Sequence, residues 1–149
     1  MFIEFVEEQI LLFVAMAVIV AMLIWSYVGD SISGINNIGT DEAVRVYNQD
    51  AKLLDVRSDG EYKTGFIGEA TLVTPTEIEQ TMKNLANQKD QPILVYCQSG
   101  MRSASVAKKL VKNGFSNVYN LKGGIAAWKS AGLPVNKPVS KKKQKRQKA

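Results

Sequence analysis

The chain lacks histidine altogether and contains a single cysteine, Cys97, among its 149 residues. Without histidine there can be no Ser-His-Asp triad, no Cys-His dyad and no histidine-ligated metal site. A single cysteine excludes intramolecular disulfides and multi-thiolate clusters, and with them a secreted domain stapled by disulfides. We therefore expect no metal and no cofactor. If the chain is an enzyme, Cys97 is the candidate nucleophile, and something other than an imidazole must activate it.

Charge is unevenly distributed along the chain. The net charge is +5, yet residues 1–9 carry three glutamates and no base, whereas residues 136–149 carry seven Lys/Arg and no acid. We predict that 1–9 is a short acidic N-terminus and that 136–149 is a disordered basic tail, because the tail has almost no apolar side chains. The tail either serves only as a solubilising segment or is attracted to anionic lipid headgroups. It lacks interleaved aromatic residues, so no nucleic-acid partner is expected.

Residues 10–28 form one long apolar run without a charged side chain. At ~1.5 Å per residue, this run as a helix spans ~28 Å, which is close to the hydrocarbon thickness of a bilayer. A cleavable signal peptide would instead have a basic flank and a small-residue cleavage site. A buried core helix is the other alternative, but the run lies at the extreme terminus. We predict a retained transmembrane helix over 10–28, followed by a polar tether over 29–35.

Orientation follows from the distribution of basic residues. All 19 Lys/Arg lie on the C-terminal side of the run. Because basic residues are retained on the cytoplasmic side, the pattern favours a single-pass protein whose C-terminal domain lies in the cytoplasm. A lone thiol also suits that reducing compartment.

Strand and helix signals alternate over residues 36–135. Candidate strands are 36–38, 52–56, 70–73, 93–96 and 118–121. Helical segments separate them: one capped by Thr40, a short turn at 59–64, one opened by a Thr76–Glu79 capping box and running to about 86, and two more at 102–112 and 125–130. This alternation predicts an α/β domain with a mostly parallel central sheet and helices on both faces. Ligands in such folds bind at the carboxyl ends of the strands.

Cys97 lies between the strongest strand signal, 93–96, and the helix at 102–112. The first turn of a helix offers free N–H groups and the positive end of a dipole, and a tight loop over that end can aim its amides inward. Gly100 permits a backbone conformation that a Cβ would oppose, and Arg102 adds a permanent positive charge. We expect these groups to lower the pKa of Cys97 and to hold an anion or a terminal sulfur. The alternative is a structural cysteine buried at a strand end.

Several motifs in order resemble the rhodanese-like sulfurtransferases. They are Leu53–Arg57 (LLDVR), Glu61–Tyr62 with Gly65-x-Ile67, the loop Tyr96–Ser103 (YCQSGMRS), Gly114–Tyr119, Leu121–Trp128 (LKGGIAAW) and Gly132–Val135 (GLPV). Together they cover about 36–135, and jointly they are specific. An anchor ahead of a single domain resembles the membrane-anchored rhodaneses of bacteria. The resemblance implies a rhodanese-like fold over 36–135 and a place in the bacterial inner (cytoplasmic) membrane.

The resemblance also implies a mechanism. The loop cysteine takes sulfane sulfur from a donor such as thiosulfate, becomes a persulfide, and passes the sulfur to a thiol acceptor. Carried over, Cys97 is the nucleophile and Arg102 orients the anionic donor. The loop residues forming the cradle are Gln98, Ser99, Gly100, Met101 and Ser103. Asp55 and Arg57 are possible supports of the site. Asp55 is expected to fix loop backbone; Arg57 either faces the same mouth or, as we expect, pairs with Glu61.

Two positions depart from the family pattern, and two other functions stay open. Phe66 stands where the family has histidine, and Glu69 where it has a second glycine. Phe66 is expected to pack still, and Glu69 to change the turn before the third strand. Cysteine phosphatases and arsenate reductases also use a Cys-to-Arg loop, but with five intervening residues, whereas this loop has four, 98–101. A non-catalytic, membrane-tethered docking module is the second alternative.

Overall fold

The computed structural model describes residues 2–32 and 34–138, so most of the predicted basic tail lies outside the described residues. The chain divides into two compact units, 1–33 and 34–149. The elements in chain order are α1 (Phe2–Ile32), β1 (Asn36–Ile38), α2 (Thr40–Tyr47), β2 (Lys52–Asp55), α3 (Asp59–Lys63), β3 (Thr71–Leu72), α4 (Ile78–Asn84), a 3-10 turn (Ala86–Gln88), β4 (Ile93–Tyr96), α5 (Met101–Lys112), β5 (Val118–Leu121) and α6 (Gly124–Ser130).

The N-terminal unit is the single helix α1, which is 31 residues long. Its segment Gln9–Ser26 is long and apolar enough to cross a membrane, and none of that segment is buried. Length and composition alone also admit a signal sequence at this position. The helix therefore agrees with the predicted apolar segment.

The second unit contains a five-stranded sheet in the order β1-β5-β4-β2-β3, with every pair parallel. The predicted α/β class is confirmed. Strand β4 lies at the centre and all of its side chains are buried, as expected for a strand covered on both faces. Successive side chains of a strand point to opposite faces of the sheet, so the strands contribute side chains to two separate cores.

Each face of the sheet packs against its own helices. Val95 and Leu54 belong to a core that includes Ile78 of α4 and Ala107 and Leu110 of α5. The opposite core contains side chains from the sheet together with α2 and α6, namely Leu53, Leu94, Tyr96, Leu121, Ala43, Val46, Ile125 and Trp128. The carboxyl end of β4 therefore lies between two layers of helices. Cys97 is the residue directly after that end.

Two of the predicted helix starts are wrong. Gly39 rather than Thr40 precedes α2, and Thr40 is the first helical residue. The Thr76–Glu79 capping box does not form; instead the carboxylate of Glu77 accepts hydrogen bonds from the amide and hydroxyl of Thr74, at 3.0 and 2.7 Å. These contacts close a turn over 74–77 ahead of the helix, and Glu77 is the residue that precedes its first turn. Helix α4 thus begins at Ile78 and ends at Asn84.

Candidate active site

Cys97 directly follows β4, and α5 begins four residues later at Met101. The loop between them places the thiol beside the N-terminal end of α5. The backbone amide of Gly100 donates a hydrogen bond to the Cys97 Sγ at 3.1 Å. Gln98, Ser99 and Met101 are exposed on the outer side of this loop, and the Met101 side chain is 79% exposed. The loop predicted from sequence is therefore present, and at least one of its amides points inward.

Helix α6 holds the other side of the loop backbone. The amide of Ile125 donates to the carbonyl of Cys97 at 2.9 Å, and the amide of Ala126 donates to the carbonyl of Gln98 at 3.3 Å. These contacts need close approach, and a Cβ on Gly124 would collide with the backbone of Cys97 and Gln98. Because the carbonyls are bound by α6, the amides that follow them are free to face the thiol.

Gly100 must be glycine for two reasons. Its φ of 94° lies in the region that side chains oppose. A Cβ at this position would also lie 2.9 Å from the carbonyl oxygen of Leu121. The turn that aims the Gly100 amide at Cys97 therefore depends on the absence of a side chain.

Asn120, in β5, connects the loop to the sheet through side-chain hydrogen bonds. Its amide nitrogen donates to the carbonyl of Gly100 at 3.1 Å and to the Asn37 side-chain oxygen at 2.8 Å. Its amide oxygen accepts a hydrogen bond from the Ser103 hydroxyl at 2.5 Å. The same hydroxyl lies 3.5 Å from the Cys97 Sγ. A hydroxyl carries one proton, so Ser103 donates either to Asn120 or to Cys97, whereas the Gly100 amide is a fixed donor.

The pKa of Cys97 is lowered from its usual value, as the sequence predicts. Burial acts in the opposite direction and raises the pKa, but hydrogen bonds from the Ser103 hydroxyl and from the backbone amides of Ser103, Ser99 and Gly100 outweigh it. The environment thus favours the thiolate, which is the nucleophilic form.

The Cys97 side chain has no solvent exposure, and it packs in the same core as Val95 and Ala107. A nucleophile that attacks a dissolved donor has to be reached from solvent, and the structure does not show an exposed thiol. The reason is the position of the residue, which directly continues a strand buried on both faces. The thiol is polarised by amides and covered at the same time.

Arg102 forms a bidentate ion pair with Glu61, at 3.0 and 2.8 Å, across 41 positions of sequence. The pKa of Glu61 is lowered to about 2, first by its hydrogen bond with Arg102 and then by the amide of Ser58. The Arg102 pKa is raised by the same hydrogen bond, and the nearby charge of Cys97 raises it further. Arg102 thus lies close enough to the thiol for a side-chain interaction with Cys97, while its two short hydrogen bonds go to Glu61.

Arg57 does not pair with Glu61, and that expectation is wrong. Its guanidinium binds both carboxylate oxygens of Asp55, at 2.9 to 3.1 Å through Nε and 2.6 Å through Nη2, and Nη2 also donates to the carbonyl of Gly65 at 2.6 Å. Arg57 and Asp55 are both buried. Asp55 also accepts from the Arg57 amide at 3.0 Å, so it fixes loop backbone as expected. Glu61 is turned away because it closes a capping box with Ser58 at the start of α3.

Phe66 packs as expected although it replaces a histidine. Its ring stacks on Tyr62 with centroids 4.4 Å apart and an angle of 6° between the planes. Its backbone pairs with Asn136, with hydrogen bonds of 2.8 and 2.7 Å. Asn136, the first residue of the predicted tail, is therefore held against the domain.

Sequence reasoning missed two residues of the site. Asn120 is a polar residue within a strand of otherwise buried character, and a buried polar side chain signals a hydrogen-bond network. Glu61 was assigned to Arg57 because four residues separate them. The Ser58–Glu61 spacing of a capping box was the signal that would have placed it correctly.

Comparisons with known proteins agree with this geometry. Residues 40–131 match the model of the rhodanese-like domain. The uncharacterized protein YibN of Escherichia coli (strain K12) is 33% identical over 135 residues, which is 89% of this chain and 94% of YibN. A protein of Allochromatium vinosum named sulfurtransferase is 36% identical over 90 residues, or 60% of this chain and 82% of that protein. The crystal structure of a rhodanese-related protein from Thermoplasma volcanium superimposes with a TM-score of 0.61 at 28% identity, covering 68% of this chain and 97% of that one.

A parallel α/β domain with a cysteine loop after its central strand is the class that fold and site define. Within that class, the chain belongs to the rhodanese-like domain family.

Proposed function

We propose that the chain is a membrane-anchored sulfurtransferase that carries sulfane sulfur on Cys97. The observation that supports this most directly is the hydrogen bond of 3.1 Å from the Gly100 amide to the Cys97 Sγ. It polarises the only thiol of the chain at the carboxyl end of the central strand, where α/β folds bind their ligands. The similar protein of Allochromatium vinosum, which is named sulfurtransferase, supports the same reaction class.

The proposed reaction is two displacements. The Cys97 thiolate attacks the outer sulfur of thiosulfate, the S–S bond breaks, and sulfite leaves with the electron pair, so that Cys97 carries a persulfide anion. A thiolate acceptor then attacks the outer sulfur and releases the Cys97 thiolate. The inward amides of the loop stabilise the negative charge on the persulfide, and Arg102 orients the donor. Two displacements through a covalent intermediate predict ping-pong kinetics.

Donor access requires movement of the loop, since the thiol is fully buried. The outer side of the loop carries exposed Gln98, Ser99 and Met101. We propose that this segment opens to admit the donor and closes over the persulfide. A low rate of Cys97 alkylation relative to its thiolate content is the expected consequence.

The test uses the full chain purified in mild detergent. After incubation with thiosulfate, the mass of the Cys97 peptide should increase by one sulfur atom, and cyanide should then yield thiocyanate. Cys97→Ser should abolish both signals. Ser105→Ala, an exposed change on α5, the helix that follows the loop, is the control. Equal thiocyanate production by Cys97→Ser would reject Cys97 as the carrier.

A second candidate is a non-catalytic docking module, and the complete burial of Cys97 favours it. This candidate predicts no sulfur on Cys97 after exposure to thiosulfate or to a hydropersulfide, in a chain whose fold is intact. The mass measurement described above therefore separates the two functions.

For location, we propose the bacterial inner membrane, with α1 as a single span and the domain in the cytoplasm. The length and composition of Gln9–Ser26 support the span, and the basic residues confined to its C-terminal side support the orientation. In intact spheroplasts, an external protease should leave residues 34–149 uncut, and it should degrade them after lysis. Cleavage before lysis would contradict the proposed orientation. Recovery of the full chain in the soluble fraction would contradict the proposed membrane anchor.

A further inference from the structure

The charge balance at the active loop points to a role for Glu61. Arg102 is the cation that the loop itself provides, and both of its terminal nitrogens are bound to the carboxylate of Glu61. The other arginine that the sequence singles out, Arg57, is bound in the same way by Asp55. Each guanidinium is thus neutralised by its own carboxylate.

Glu61 is held in this position from the other side as well. Its Oε2 accepts hydrogen bonds from the amide and the hydroxyl of Ser58, both at 2.9 Å. These contacts form the capping box at the start of α3. Because the cap orients the carboxylate before any donor binds, Glu61 is pre-organised as the counter-ion of Arg102.

We propose that Glu61 is a specificity-determining residue, which neutralises Arg102 and so biases the site against dianionic sulfur donors and towards hydropersulfides. This inference rests on the proposed function. A dianion such as thiosulfate needs uncompensated positive charge, and it is repelled by a fixed carboxylate. A hydropersulfide R–S–SH ionises at most to the monoanion R–S–S⁻, so the carboxylate repels it less than it repels thiosulfate, and the backbone amides of the loop suffice to bind it.

The chemistry of the favoured donor balances without any other reactant. The Cys97 thiolate attacks the outer sulfur of R–S–SH, and the S–S bond breaks. The leaving thiolate R–S⁻ takes the electron pair, and Cys97 becomes Cys97–S–SH, which releases its proton to give the same persulfide anion that thiosulfate produces. No oxidant or reductant is consumed, and the negative charge that enters on Cys97 leaves on R–S⁻.

The experiment compares two donors, thiosulfate and cysteine hydropersulfide, with the full chain in detergent. Glu61→Gln removes the charge, while the amide oxygen of Gln can still accept the Ser58 hydrogen bonds. Asp59→Asn is the matched control, since Asp59 lies on the same short helix and pairs with Lys63 at the surface. Both variants lose one negative charge, so long-range electrostatics change equally. Thermal unfolding verifies that each variant is folded.

The measured quantity is the ratio of kcat/KM for thiosulfate to kcat/KM for the hydropersulfide. Glu61→Gln should raise this ratio about fivefold, mainly through a lower KM for thiosulfate, because a half-exposed ion pair has an effect of that order. Asp59→Asn should leave it near the wild-type ratio. Equal ratios for Glu61→Gln and Asp59→Asn would overturn the proposal while sulfur transfer by Cys97 still stood.

A measurement on the wild type makes the test independent of the variants' folding. With Arg102 neutralised, kcat/KM for thiosulfate should depend on ionic strength only weakly, and no more than kcat/KM for the hydropersulfide. A steep loss with salt for thiosulfate alone would show an uncompensated cation and overturn the proposal. Absence of transfer from either donor through Cys97 would reject the proposed function itself.

Discussion

The side-chain oxygen of Asn120 accepts a hydrogen bond of 2.5 Å from the hydroxyl of Ser103, the third residue of α5. Asn120 also donates to the carbonyl of Gly100, whose amide donates to the thiol. A single residue of β5 thus holds two groups that act on the sulfur. The network has no unsatisfied buried side-chain nitrogen or oxygen among the described residues.

Ser103→Ala should raise the pKa of Cys97. The hydroxyl is one of the donors that favour the thiolate, and its removal leaves burial, which favours the neutral thiol, less opposed. The rise is limited because Asn120 competes for the same hydroxyl proton. The thiolate absorbance in the ultraviolet, titrated against Cys97→Ser, measures this directly in a chain with one cysteine. Ser105→Ala is the control on the exposed side of α5. A pKa equal to that of the wild type would mean that the amides alone set it.

Replacement of Arg57 by Met should destabilise the domain strongly. The guanidinium is 1% exposed and binds Asp55 and the carbonyl of Gly65, so its loss leaves a buried carboxylate without a partner. Breaking a buried ion pair in this way costs about 3–5 kcal/mol of unfolding free energy. Denaturant titration of the full chain in detergent tests this, with exposed Arg45→Met as the control, expected within about 0.5 kcal/mol of the wild type. A small effect at Arg57 would show that Asp55 is satisfied by water.

The pairing of Arg57 illustrates what the sequence could and could not predict. Parallel strands, their order along the chain and the loop after β4 follow from local alternation and glycine placement, and the structure confirms them. Long-range ion pairs do not follow from local spacing. Arg57, Glu61 and Arg102 offered two possible pairings, and the choice depends on how α3 and α5 approach each other in three dimensions.

The depth of Cys97 could not be predicted for a similar reason. A residue directly after a buried strand is either the last core position or the first exposed one, and one residue of strand length decides which. The predicted strand 52–56 is one residue shorter in the structure, and 70–73 is shortened to Thr71–Leu72. Errors of this size are immaterial for the fold, but they decide whether a thiol meets solvent.

Gly100→Ala should disrupt the loop without unfolding the sheet. Alanine at this position would have to adopt a φ of 94°, and its methyl group would lie 2.9 Å from the carbonyl oxygen of Leu121. The strain is relieved most easily by turning the loop backbone, which removes the Gly100 amide from the thiol. We expect the thiol pKa to rise and sulfur loading to fall at least about tenfold, with a loss of roughly 1–3 kcal/mol in unfolding free energy. Gly60→Ala, where a Cβ meets open space, is the control. Unchanged loading in Gly100→Ala would show that this amide does not support the chemistry.

The basic tail provides a separate prediction, since residues 139–149 lie outside the described residues. We propose that residues 136–149, with seven Lys/Arg and no acid, contact anionic lipid headgroups. Each basic residue near such a surface contributes about 1 kcal/mol of attraction, which salt weakens. A peptide of this sequence should bind phosphatidylglycerol vesicles at low salt, bind much less at high salt, and not bind vesicles of neutral phosphatidylcholine. A peptide with every Lys and Arg changed to Gln is the control. Equal binding of the two peptides would leave the tail with a solubilising role alone.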